Sequence, residues 1–363
     1  MYICTSSPNT MEFFKQVAIR SADLNDYDDL KLVSTPNQRR VAESVADRVI
    51  DCLHGRRDYG GQAIRHGSFL RLTNLAKPGI SDVDVIAFIS EDYNGNELSS
   101  IDDFEDLRNA ASQNIKDHLM NNLNDCFATV ELDEFWEGLC IKLRVKNHWS
   151  ARHFWNVDVI IAYDASQDAQ SRIAAYKSLR GMNISQKTIN TNAFSICRNI
   201  FVEEIYQVNP QLRTLVRLLK CFNWISKEKG NCEKGVSSVV VEMLVILLYM
   251  KCTIPCNFGL NRALCTCLEH IGYPRSRNDV WITVDDFLYP EDAVGVPHKP
   301  TDFQLWQMRE NCGADGLIVV DPFAPFSNLA VRKRRIVQAW EALTEDAQDV
   351  FQYLKRNGVA PYQ

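Results

Sequence analysis

Asp82 and Asp84 stand one residue apart in the run Ser81-Asp82-Val83-Asp84-Val85-Ile86-Ala87-Phe88-Ile89, a short way after Gly67-Ser68. Side chains of a strand alternate between faces. A strand here therefore turns both aspartates to one side and Val83 and Val85 to the other, into a core. Two carboxylates on one face repel unless a cation lies between them. A Gly-Ser turn can hold phosphate, because glycine lets the backbone approach closely and serine at a helix start offers a hydroxyl and an N–H. The combination points to metal-assisted chemistry on a nucleoside triphosphate. Phosphoryl and nucleotidyl transfer ask a protein mainly to neutralise charge and hold an in-line geometry. Two divalent cations about 3.5–4 Å apart serve both ends of such a displacement. Magnesium prefers oxygen ligands, which aspartates supply; manganese is the alternative. A third carboxylate is expected from a neighbouring strand, and Asp158, flanked by Val157 and Val159, is the best candidate. Asp-x-Asp alone is common on solvated strands, and Gly-Ser alone is usually a turn. The specificity lies in their joint spacing ahead of an apolar strand.

The elements that must position these residues follow from periodicity. Val41, Val45, Val49 and Leu53 recur at four-residue spacing and predict a helix over 38–53, with Arg39, Arg40 and Arg48 off that line. Strands are expected at 62–65, 83–89, 127–132, 139–145 and 156–162, and a long helix at 101–124. From about Ser171 the pattern turns helical: 210–227 is amphipathic, 237–251 is apolar all round and so a buried central helix, and 257–271 and 333–355 follow. A short buried strand is expected at 316–322. Residues 1–35 show no dominant period. The layout is α+β, with a mixed sheet and helices first and mostly helices afterwards.

Composition narrows the class. The net charge of −6 argues against a chain coated in basic residues for nucleic acid, though it leaves room for a local basic patch. No apolar run reaches the roughly 18 residues needed to span a membrane; Val239 to Met250 is short and broken by Glu242. The start lacks the basic and apolar regions of a secretory signal. The 12 cysteines lie mostly in apolar runs, as expected of reduced thiols in a cytoplasmic protein. Cys252, Cys256, Cys265, Cys267 and His270 cluster, but their spacing fits no common zinc pattern, and buried thiols at a helical hairpin are the expectation.

The stretch Gly67 to Leu75, with Ser81-Asp82-Val83-Asp84-Val85, resembles the active-site motif of the DNA polymerase β-like nucleotidyltransferases. It is most similar to the 2′-5′-oligoadenylate synthetases and their relatives, the cyclic GMP-AMP synthase-like receptors. Asn156 to Ala165 resembles the third-aspartate strand of that family, and Asn209 to Trp224 the helix entering its second lobe. Ser237 to Leu248 resembles its central spine helix. Val319 to Leu329, with Asp321-Pro322 and Pro325, resembles a C-terminal segment of the synthetases and favours that branch. The resemblance runs from about residue 35 to the end.

The resemblance implies a bilobal fold. Residues 1–170 would be the nucleotidyltransferase core lobe and 171–363 a helical C-terminal lobe, with the active site in the cleft between them. It implies that Asp82, Asp84 and Asp158 hold two magnesium ions, and that Gly67 and Ser68 hold the donor triphosphate. Lys220 would contact the triphosphate, and Arg217, one turn earlier, would line the same cleft. The implied activity is polymerisation of ATP into 2′-5′-linked oligoadenylates with release of pyrophosphate, in the cytoplasm, with double-stranded RNA as activator. GTP or another nucleotide is an alternative substrate. Alternative activities are a cyclic dinucleotide synthase and a catalytically retired RNA-binding relative. The chain departs from the pattern in places. Ser238-Val239 replaces the synthetases' Gln-Tyr pair for the acceptor base. Val202, Glu203, Glu204 and Tyr206 replace basic RNA-facing residues, leaving Arg39, Arg40, Arg48, Lys187 and Arg198 as a different candidate RNA face. The zinc insertion of cyclic GMP-AMP synthase has no counterpart before the spine helix.

Overall fold

The computed structural model describes residues 9–54, 62–75, 83–90, 101–138, 140–148, 154–164, 195–233, 235–273, 305–308, 310, 317–321, 324–329 and 337–362. The chain divides into two compact units, Ser34–Phe201 and Met1–Val33 with Val202–Gln363.

The first unit is built on a five-stranded sheet of order β1-β2-β5-β4-β3. The strands are β1 (Gln62–His66), β2 (Val83–Ser90), β3 (Thr129–Trp136), β4 (Cys140–Lys146) and β5 (Trp155–Asp164). β2 and β5 pair in parallel and every other neighbour is antiparallel, which gives the mixed sheet expected from the pattern. In the second unit, α1 (Asn9–Val17) and α2 (Ser21–Tyr27) precede the chain that returns to the sheet unit. There α3 (Pro36–Leu53) opens with a capping box: Gln38 N–H donates to Thr35 Oγ1, the Gln38 side chain meets the Thr35 backbone N–H, and Pro36 sits in the first turn. The short α4 (Gly67–Leu70) follows β1 directly, and α5 (Ile101–Asn122) separates β2 from β3.

Alternation decides what each face of the sheet carries. Val83, Val85, Ala87 and Ile89 of β2, Val157, Val159 and Ile161 of β5, and Ile141, Leu143 and Val145 of β4 all enter one core. They meet Ala42, Val45, Ala46, Val49 and Leu53 of α3 and Ala111, Ile115 and Leu119 of α5. Asp84 and Asp158 are left on the opposite face. A one-residue slip of either strand would bury a carboxylate in this core and expel its valines, so the register is strongly specified.

The helical unit contains α6 (Ser195–Val208, within which the division falls), α7 (Gln211–Lys229), α8 (Ser238–Met250), α9 (Leu260–Gly272) and α10 (Val337–Arg356), with a small ribbon of β6 (Val320–Asp321) and β7 (Ala324–Asn328). α8 is buried from Val240 to Leu248, as its apolar run requires. Among the described residues no helix is long and apolar enough to cross a membrane.

The N-terminal segment, featureless by period, belongs to this unit. After α2 the chain makes one π-helical turn, Asp28–Leu32. That turn buries the Asp28 carboxylate to 1% exposure. Arg217 Nε of α7 donates to Asp28 Oδ1 at 2.8 Å, and its Nη2 reaches both Asp28 Oδ2 and Thr214 Oγ1. Burial pushes the Asp28 carboxyl above its ordinary value even beside the guanidinium. Removing one partner of such a pair strands the other charge. Arg217→Ala is therefore expected to lower stability by about 3–5 kcal/mol, read as a shifted urea midpoint at unchanged slope.

Candidate functional site

The register places Asp84 directly opposite Asp158. Both lie on the face turned away from the α3–α5 core, and both are partly buried. Neighbouring strands run about 4.8 Å apart, so the carboxylates start from adjacent positions. The same register extends across the whole sheet. His66 of β1 pairs with Asp84, Lys142 of β4 with Asp158, and Glu134 of β3 with Lys142. The row His66, Asp84, Asp158, Lys142, Glu134 thus crosses all five strands on one face.

Gly67 closes the β1 end of this row. Its φ of +77° lies in the left-handed region that favours glycine. A Cβ built there would fall 1.7 Å from Asp84 Oδ2 and 2.8 Å from Asp84 Cβ. The turn packs directly on the carboxylate, and only a residue without a side chain fits. Ser68 begins the next turn, and its carbonyl accepts from the Thr73 backbone N–H at 2.9 Å. Arg71 is buried and donates from Nη1 to Asn199 Oδ1, which ties the segment after the turn to α6.

Lys142 lies on the other side of Asp158, on β4. Its Nζ lies 3.5 Å from Asp158 Oδ2 and 4.0 Å from Glu134 Oε2. It also lies 5.0 Å from the centroid of the Trp136 ring. The ammonium supplies positive charge where two carboxylates adjoin. The donors gathered here are carboxylate oxygens, suited to a hard divalent cation, and the Gly67 cradle leaves Asp84 no side chain to displace. Asp84 and Asp158 fit that role. Asp82, expected as a ligand beside Asp84 and Asp158, lies outside the described residues. Among the described residues no set of three His, Cys, Asp or Glu side chains gathers as metal ligands.

The other expected site residues lie on other elements. Lys220 and Arg217 are in the helical unit, both buried. Lys220 Nζ is 3.8 Å from Glu242 Oε2, and Tyr206 donates to Glu242 Oε1 at 2.8 Å. Of the basic residues expected to face RNA, Arg39 is half-buried and Arg40 exposed on α3. Arg48 donates to the Cys126 carbonyl at 2.7 Å and to Asn147 Oδ1 at 3.3 Å, and its guanidinium lies over Phe127. It pins α3 to the start of β3. Arg198 is half-buried on α6, and Lys187 lies outside the described residues. Tyr206 and Val202, noted above as departures, are buried, and Glu203 pairs with Arg213 at 2.8 Å. Of the clustered thiols, Cys265 and Cys267 are buried and Cys252 and Cys256 exposed. Burial pushes the Cys265 thiol up to about 12 and the Cys267 thiol higher still. His270 donates from Nδ1 to the Thr266 carbonyl at 2.9 Å.

His66, Lys142 and Glu134 were not singled out from sequence. Alternation within Cys140–Lys146 does put Lys142 opposite Ile141 and Leu143. Which strand it would face depended on register.

No protein-family model matches the chain. Among solved structures it is similar to the E. coli MS115-1 protein CdnC, in its complex with HORMA-deltaN, with a TM-score of 0.59 and 14% identity over 94% of this chain and 92% of the other. It is also similar to terminal uridylyl transferase 4 of Trypanosoma brucei with bound GTP (TM-score 0.54, 11% identity, 94% and 99% covered). The Cid1 poly(U) polymerase is comparable (TM-score 0.53, 12% identity, 94% of each chain). The chain thus has the α+β fold of the polymerase β-like nucleotidyltransferases. In sequence it is similar to 2′-5′-oligoadenylate synthase 2 of Rattus norvegicus, at 28% identity over 167 residues, or 43% of this chain. The matched stretch spans 21% of that relative's length.

Two outcomes follow. Gly67→Ala must push the Asp84 carboxylate aside. It should weaken divalent-cation binding by at least about tenfold with an unchanged far-ultraviolet circular dichroism spectrum, as measured by manganese titration in electron paramagnetic resonance. His270 is held below its ordinary value by burial. The unfolded chain therefore binds more protons as the pH falls below about 6.5, and stability declines from there downward. Melting temperatures across that range should fall less steeply in His270→Gln.

Proposed function

We propose that this chain is a magnesium-dependent nucleotidyltransferase that joins ATP molecules through ribose 2′-hydroxyls into short 2′-5′-linked oligoadenylates, releasing pyrophosphate. The observation that carries the nucleotidyl-transfer reading is the direct pairing of Asp84 with Asp158 on one face of the sheet, with Gly67 packed on the Asp84 carboxylate. The fold supports it, and so do the nucleotides named with its structural neighbours, ATP with CdnC and GTP with the trypanosomal enzyme. The adenylate product is supported by the sequence similarity to the rat synthase.

In this reading Asp84 and Asp158, together with Asp82, hold the cations. Bound there, these would neutralise charge on the α-phosphate of the transferred nucleotidyl group and activate the attacking hydroxyl. Asp158, on the β4 side of the pair, accepts a hydrogen bond from that hydroxyl and orients it. Gly67 and Ser68 turn backbone N–H groups toward the donor triphosphate. Lys220, paired with Glu242, and Arg217, one turn earlier on the same helix and paired with Asp28, are the proposed nucleotide contacts of the helical unit. Duplex RNA is the proposed activator. Arg40 is the exposed contact among the described candidates, and its contribution would fall steeply with salt.

A cyclic dinucleotide product is the second reading. The pair Ser238-Val239, exposed at the start of α8, favours it by departing from the acceptor-base residues of the synthetases. Both readings use the same carboxylates. They part on the product, because a linear chain keeps a terminal phosphate and a ring does not.

The test is incubation with ATP alone and with mixed nucleotides, with and without duplex RNA. Phosphatase treatment, linkage-specific nucleases and mass measurement then define the product. A phosphatase-resistant product would replace the first reading with the second, and unchanged nucleotide under every condition would defeat both. Asp84→Asn should lower turnover by more than about 100-fold while the melting temperature stays level or rises, because one of two adjacent like charges is gone. Undiminished turnover would defeat the assignment of Asp84.

A further inference from the structure

We propose that the sheet face beyond Asp158, formed by Lys142, Glu134 and Trp136, is the subsite for the acceptor nucleotide, with the Trp136 ring as the platform for its base. The inference rests on the nucleotidyl-transfer reading and adds to it the place from which the attacking hydroxyl comes.

In an in-line displacement the entering and leaving oxygens lie on opposite sides of the phosphorus. The polar row has a direction. Gly67 and the turn suited to a triphosphate close it at the β1 end, against Asp84. Lys142 and Glu134 close it at the β3 end, beyond Asp158. A donor whose pyrophosphate departs toward Gly67 leaves the β4–β3 side for the attacking nucleotide. At a strand spacing of about 4.8 Å, that side extends roughly 10 Å past Asp158, enough for a ribose and its base.

Trp136 is suited to receive the base. It lies on the edge strand, 47% exposed, a large apolar side chain open to solvent. It is on the carboxylate face because of an irregularity. The pairing of β3 with β4 shifts between Leu132 and Glu134. Before the shift Val130 and Leu132 fall on the core side; after it Phe135 does, and Glu134 and Trp136 turn to the side of Asp158. Without the extra residue the indole would face the core. Lys142 holds the ring in place through its ammonium, 5.0 Å from the centroid. The same ammonium lies beside both Asp158 and Glu134, and so lowers the repulsion an incoming anionic nucleotide meets. Stacking on an indole tolerates any base.

The test separates donor from acceptor by using the dinucleoside monophosphate ApA as acceptor, since it has no triphosphate to give, with radiolabelled ATP as saturating donor. Trp136→Ala should raise the KM for ApA about tenfold without raising that for ATP, and Trp136→Phe should recover most of the loss. Leu132→Ala, which removes an exposed side chain of the same strand on the other face, serves as the control. An ApA KM equal to wild type in Trp136→Ala, or a rise confined to ATP, overturns the subsite. Quenching of tryptophan fluorescence by ApA gives a second readout that needs no turnover. It should be present in wild type and lost in Trp136→Phe, and an identical titration in the two proteins overturns the proposal. A wild-type protein that labels no acceptor would count against the nucleotidyl-transfer reading, with the fluorescence comparison still deciding the subsite.

Discussion

Two carboxylates opposite each other across a parallel strand pair are the constraint around which the sheet is arranged. At strand spacing, two like charges about 5 Å apart oppose each other by roughly 3 kcal/mol at an effective dielectric near 20. That opposition needs a nearby cation. Lys142 provides part of the relief within the protein, at 3.5 Å from Asp158. A divalent cation provides more, and all-oxygen donors favour one.

The rest of the unit keeps the pair in register. The valines and isoleucines that alternate with the aspartates are locked into the α3–α5 core, and the capping box fixes where α3 begins. Arg48, which sequence pattern offered as an RNA contact, is instead occupied at the junction before β3. Long basic side chains on an amphipathic helix frequently tie elements together at their polar ends, and spacing alone does not distinguish that from a surface charge. The shift in β3 works on the opposite principle to the core. It breaks alternation locally and so brings Glu134 and Trp136 to the face of the carboxylates.

The helical unit shows how buried charge is handled where no cation is expected. Arg217 meets Asp28, Lys220 meets Glu242 with Tyr206, and Asp346 receives Ser226 and Lys229. Each pair costs desolvation and is held by further hydrogen bonds. Arg217 and Lys220 come one turn apart on α7, yet they engage partners from distant parts of the chain. Residues 9–32 are therefore structural in this unit, although their sequence shows no helical period.

Much of the fold was legible in the sequence because it rests on local regularities. The two-residue alternation of Val83–Ile89 and Asn156–Ala162 and the four-residue spacing of α3 fixed the strands, the helix and their buried sides. The apolar run of α8 did the same for the central helix. The Asp-x-Asp and Gly-Ser spacings pointed to the chemistry, since residue types and short separations survive in one dimension. Pairing does not. That Asp84 meets Asp158, that Gly67 rests on Asp84, and that Lys142 and Glu134 complete the row depend on which strands adjoin and in what register. Those contacts join residues 8 to 74 positions apart. The tertiary structure alone decided them, because register is chosen by the summed packing of a whole core and by no single segment.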